Sequence, residues 1–162
     1  MVRVGTTLYT IPSTGFIIYG QNCTLTSSGT VRGHVTICSI RTSGAAGGNI
    51  TMDGNLIYGT VGSTVSANPS DSFAAIASNA IAWNKGTAGD LYVAGVYFVD
   101  SAGTSGITST GTSGVLRLFG TRNKGNSGSG FSSYSYIYDT NLDTYPPPGL
   151  PEKPVLVTWR IK

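Results

Sequence analysis

Short apolar runs recur along the chain, each alternating every second residue and each introduced by glycine or asparagine. They are Val35-Thr-Ile, Ile50-Thr-Met, Ala80-Ile-Ala-Trp, Leu91-Tyr-Val and Val115-Leu-Arg-Leu-Phe. A period of two sends one side of each run toward a core and the other outward, which is strand chemistry. The links Gly47-Gly-Asn, Asp53-Gly-Asn and Thr87-Ala-Gly-Asp read as tight corners rather than helices. An all-β fold follows, and the 162 residues suit one domain with one core.

Two all-β layouts compete. A sandwich of antiparallel hairpins would show clean two-residue turns at regular spacing. Here the links are irregular Gly/Ser/Thr inserts, and single glycines split Met52-Asp-Gly-Asn-Leu56 and Val93-Ala-Gly-Val96, as corners of stacked coils would. The sequence therefore favours a single β-solenoid domain, with a β-sandwich as the alternative. Residues 1–15 read as an N-terminal strand or extension, 16–130 as the solenoid core, and 131–162 as a Tyr/Pro-rich capping segment. Pro146-Pro-Pro breaks any ladder because proline has no N–H to donate, and residues 155–161 then read as a closing strand over an open edge. For residues 1–11 two readings stand: pairing within the chain, or donation of a strand to a neighbouring copy.

Charged residues make up only 10% of the chain, and the net charge is +3. Low charge with abundant Gly, Ser and Thr suits secreted, wall-exposed or fibrous β proteins. No run reaches the roughly 18 apolar residues of a membrane helix, and residues 1–10 lack the cationic start and apolar stretch of a signal peptide. The expectation is a mature piece or a chain whose export signal lies elsewhere. Cys23 and Cys38 lie 15 residues apart, so a coil of that length would stack them within disulfide reach and imply an oxidising compartment; the other reading is two small buried hydrophobes. One His and two Cys do not make a four-ligand metal site, and no cofactor is expected.

Three sets of residues are candidates for recognition or chemistry. Tyr134, Tyr136 and Tyr138 alternate and would form a sugar-stacking platform, or simply cover the flank of the fold. Arg117, Arg122 and Lys124 are the only local basic cluster and are candidate phosphate contacts for DNA, though nucleic-acid binding usually needs a denser stripe. The acids Asp53, Asp71, Asp90, Asp100, Asp139, Asp143 and Glu152 form no tight pair of the kind that cleaves glycosides. Asp139 and Asp143, the nearest, are read as binding their own turn's amides. His34 has no serine and carboxylate near it in sequence, so no catalytic residue is assigned. Asn22-Cys-Thr and Asn49-Ile-Thr match the glycosylation pattern, which chance supplies often in Thr-rich text.

The stretch Thr30-Val-Arg-Gly-His-Val-Thr-Ile, continued by Gly48-Asn-Ile-Thr-Met-Asp-Gly-Asn-Leu-Ile-Tyr, resembles the uncharacterised C-terminal domain of bacterial type IV pilus-associated proteins, the PilX-like minor pilins. The likeness continues in order through Phe73-Ala-Ala-Ile-Ala-Ser-Asn-Ala-Ile-Ala, Leu91-Tyr-Val-Ala-Gly-Val-Tyr, Leu116-Arg-Leu-Phe-Gly, Tyr138-Asp-Thr-Asn-Leu and Pro146-Pro-Pro-Gly-Leu-Pro, from about Phe16 to Arg160. The resemblance implies a solenoid-like domain at the cell surface, on a pilus or surface filament, with copies of itself or other pilus subunits as partners. It implies no catalytic residue. The hydrophobic pilin helix expected upstream is missing from this sequence. A non-enzymatic structural or adhesive role is the leading expectation, as subunit, tip or accessory domain. A carbohydrate-binding or DNA-capturing module of a pilus tip is the alternative.

Overall fold

The computed structural model describes residues 2–4, 6–59, 71–100, 106–124 and 126–150. These form an all-β protein. A small antiparallel pair, β1 (Val2–Val4) and β2 (Thr7–Tyr9), precedes an 11-stranded sheet in which every described pairing is parallel. Its strands are β3 (Phe16–Gln21), β4 (Thr24–Val31), β5 (His34–Ile40), β6 (Asn49–Tyr58), β7 (Ser72–Ala77), β8 (Ala80–Asn84), β9 (Leu91–Val99), β10 (Gly106–Thr110), β11 (Val115–Arg122), β12 (Asn126–Ser129) and β13 (Ser133–Ile137). One 3-10 turn, Thr140–Asp143, follows. The alternating runs are strands, and Phe73-Ala-Ala-Ile-Ala is one as well.

Pairing falls into ladders. One runs β3, β5, β7, the second half of β9 and the end of β11. Another runs through the first halves of β4 and β6, then β8, β10 and β12. A further ladder joins the second halves of β4 and β6 to the first halves of β9 and β11, and ends on β13. Four strands therefore serve two ladders each, bending between them. In β6 the bend falls at Asp53-Gly-Asn, where the register with β4 shifts. That sequence is a corner inside one strand, not a hairpin. In β9 and β11 the bends fall at Gly95 and Gly120, which are in register and have φ of 121° and 142°. A Cβ on Gly95 would lie 2.5 Å from the Phe73 carbonyl oxygen, and one on Gly120 would run into the carbonyl of Gly95. Only glycine passes this corner, because it needs both a left-handed φ and bare backbone.

The core is built from the inward sides of these runs. Ile50, Met52, Leu56, Phe73, Ile81, Trp83, Leu91, Val93, Tyr97 and Leu116 are fully buried. Trp83 meets Tyr97 edge to face at 5.0 Å, and the Tyr97 hydroxyl donates to the Ala94 carbonyl at 3.0 Å. Each such side chain contributes about 1.5–3 kcal/mol by leaving water. β7 is buried on both sides, which explains why its text does not alternate cleanly. Part of the cover on this ladder is the C-terminal Pro146-Pro-Pro-Gly segment: Thr36 Oγ1 on β5 donates to the Pro148 carbonyl at 2.6 Å, and Gly15 faces the Pro148 ring. After β13 the chain thus returns to the far end of the ladders.

Polar side chains close the strand ends. Asp71 accepts from the amides of Gly33 at 2.5 Å and Gly59 at 3.0 Å. Asn79 donates to Asn49 at 2.7 Å, and Asn123 exchanges two hydrogen bonds with the Val99 backbone, like an added strand residue. The expected closing strand over 155–161 lies outside the described residues, as does Glu152. β13, in the segment expected to cap, pairs with β11 as a regular ladder member.

Candidate binding face at the end of the ladders

β13 carries Ser and Tyr in alternation, and its register decides where the rings point. Tyr134 pairs with Leu116 and Tyr136 with Leu118, both buried core residues. The two tyrosines therefore continue an inward-facing row, yet they are 41% and 46% exposed. β11 is the only strand that β13 pairs with among the described residues. The result is an aromatic floor at one end of the sheet: Tyr134 and Tyr136 lie 6.4 Å apart at 30°, and Phe131 meets Tyr134 at 6.3 Å.

Arg122 joins them from β11. It is in register with the buried Tyr97, and its guanidinium sits 4.7 Å from the Tyr136 ring centroid, a cation–π contact. An Arg122 Nη1 proton is donated to the Lys124 carbonyl, which fixes the turn after the strand. Beside these groups opens a cleft of about 410 Å³, lined by Leu118, Gly120, Arg122, Asn123, Lys124 and Tyr136. Among the described residues its wall holds two cations and no carboxylate.

The structure thus merges two sequence candidates and splits each. Tyr134 and Tyr136 share a face with Arg122 and Lys124. Tyr138 leaves the row: it follows β13, and its hydroxyl donates to Asp143 Oδ1 at 2.5 Å, a bond that pushes the phenol up to about 12. Arg117 points elsewhere, its Nε 3.0 Å from Asp90 and its guanidinium 5.9 Å from the Tyr92 ring. The Val115 amide and then Arg117 hold the Asp90 carboxyl below its ordinary range.

Asp71 and Asp139 are tied to the fold through backbone amides. Asp139 caps the 3-10 turn by accepting from the Asn141 amide, as its sequence suggested, and burial raises its carboxyl. His34 has partners distant in sequence: its Nδ1 lies 2.8 Å from Ser72 Oγ on the paired strand, and Asp143 lines the same 590 Å³ cleft as His34. Ser72 is 1% exposed, so that hydroxyl serves the ladder rather than a substrate in solution. Cys23 and Cys38 are both unbonded, and Cys38 pairs with Tyr19 rather than Cys23. Asn22 Oδ1 accepts from the Thr42 amide at 2.8 Å, while Asn49 sits inside β6. Sequence reasoning missed Asp71 and Asp90 as strand-end ligands. The text signal was present, since each ends a stretch rich in Gly, Ser, Asn or Pro and precedes an apolar run.

The chain matches no family model, no curated protein and no solved structure.

Proposed function

We propose that the parallel ladders are the walls of a β-solenoid and that the protein is a non-enzymatic structural or adhesive component of a bacterial pilus or surface filament, displayed outside the cell. The observation that carries this reading is the difference between the two ends. At one end Tyr9 packs on Phe16 at 5.7 Å, and Ile11 lies against the core. The other end leaves Tyr134, Tyr136 and the Arg122 cleft open. Among the described residues the first end carries an added strand pair and the other an aromatic and cationic cleft, and two unlike ends suit a filament component: one side attaches and the other displays.

The attaching side is the β1–β2 pair. A two-stranded hairpin is marginal by itself, and a third strand from a neighbouring copy satisfies its edge by β-augmentation. In the single chain β1 pairs with β2, so donation takes the form of an added neighbour rather than an exchanged strand. The acids support a non-enzymatic role, because Asp71, Asp90 and Asp139 bind backbone amides.

Electron microscopy and sedimentation of the intact protein and of a variant lacking residues 1–11 test the reading. The intact chain is expected to self-associate, and the variant to stay monomeric with an unchanged far-UV spectrum. Monomers from the intact chain at every concentration tried, or assembly indifferent to the deletion, would sink it. A carbohydrate- or DNA-binding tip module is the second reading, favoured by the exposed aromatic and cationic face.

A further inference from the structure

We infer that the end face of β11 and β13 is a binding site for an acidic polysaccharide, with Tyr134 and Tyr136 stacking on sugar rings and Arg122 meeting a ring carboxylate. The inference deepens the adhesive half of the proposed function and concerns display, not assembly.

The aromatic part comes first. Tyr134 and Tyr136 occupy positions that are core elsewhere on the same ladder, so their rings are held by register rather than by chance packing. Their exposure of 41% and 46% leaves wide, electron-rich surface to a ligand. The C–H face of a pyranose suits such surface. The two rings lie 6.4 Å apart and are tilted by 30° to one another.

The charge part selects within sugars. Arg122 lines the cleft beside Tyr136, so a uronate meets a guanidinium there that a neutral glycan does not engage. Arg122 is preorganised, held over Tyr136 and tied to the Lys124 carbonyl, so little side-chain freedom is lost on binding. Gly120 keeps the cleft floor low, since a side chain there has no room against Gly95. Nucleic acid is the weaker match. A strand of phosphates wants a run of cations, and Arg117, which would extend the run, is neutralised by Asp90.

The test titrates the full chain with hexagalacturonate, with its methyl ester, and with an oligothymidylate of equal charge, by calorimetry at low and moderate salt. Hexagalacturonate is expected to bind, and the methyl ester about tenfold more weakly, the loss expected for a charge-assisted bond. R122Q should weaken hexagalacturonate binding by a similar factor, and Y136A should weaken both sugars. Y136F keeps the ring and should bind like the parent. R117Q should change affinity by less than about twofold, because it removes an exposed pair outside the cleft. Far-UV spectra and sedimentation of each variant separate loss of fold or of assembly from loss of the site, so the filament reading stands or falls on its own. Equal affinity for acid and ester overturns the inference, as does failure to bind any sugar, binding indifferent to R122Q, or tighter binding of the oligothymidylate.

Discussion

Leu116 and Leu118 sit on β11, Tyr134 and Tyr136 opposite them on β13, and the four occupy equivalent places on one ladder. The leucines are 0% and 3% exposed, the tyrosines 41% and 46%. Burial here is set by having a strand on each side, more than by the side chain itself. An inward position on the last strand becomes surface, and a sequence places tyrosine there because its ring is apolar and its hydroxyl is content in water.

The largest test of that contrast sets Trp83→Ala against Tyr134→Ala. Trp83 is fully enclosed, and its loss should cost about 3–5 kcal/mol, whereas Tyr134→Ala should cost less than about 1 kcal/mol. Denaturant midpoints report both, and similar losses would mean that the end strand is as deeply integrated as the middle. Next in size is Gly120→Ala, which forces a left-handed φ and a clash with Gly95, and should cost about 2 kcal/mol. Gly86→Ala, which meets only open space, should stay within about 0.5 kcal/mol of the parent. A mild Gly120→Ala would show that the bend between ladders is soft.

The smallest effect belongs to Asp90. Its folded carboxyl lies below the ordinary value, so its contribution is full above the unfolded value of about 3.9 and is lost as pH falls through the lower folded one. Lowering pH from 6 toward 3 should reduce the denaturant midpoint of the parent more than that of Asp90→Asn. Parallel curves would separate the Asp90 and Arg117 pair from stability altogether.

The strands were legible because their cause is local. Ile50, Met52, Ile81, Trp83, Leu91 and Val93 alternate in the text and are buried in the structure. The corners at Gly54 and Gly95 were legible too, since Gly54 sits in the turn text Asp53-Gly-Asn and Gly95 stands alone between apolar pairs. The candidate site was legible only in pieces. Alternation gave Tyr134 and Tyr136 a common side, but nothing local tells that β13 has a strand on one side and none described on the other. Arg117 and Arg122 look alike in sequence; Asp90, 27 residues before Arg117, separates them. The His34 and Ser72 contact, 38 residues apart, exists only because β5 and β7 share a register.

The return of the tail has a metric consequence. Ile137 leaves the ladders opposite Phe119 on β11, and Pro148 reaches Thr36 on β5. Between β13 and β5 lie β11, β9 and β7, so the tail bridges four strand spacings of roughly 4.8 Å, or about 19 Å. Eleven residues, four of them in the 3-10 turn, reach about 30 Å, so they cover that span with about 10 Å to spare. The tail is therefore a tether with slack: one more strand in the ladder would lengthen the path by about 5 Å and still leave Pro148 within reach of Thr36, so the hydrogen bond, and not the length of the tail, fixes where it docks.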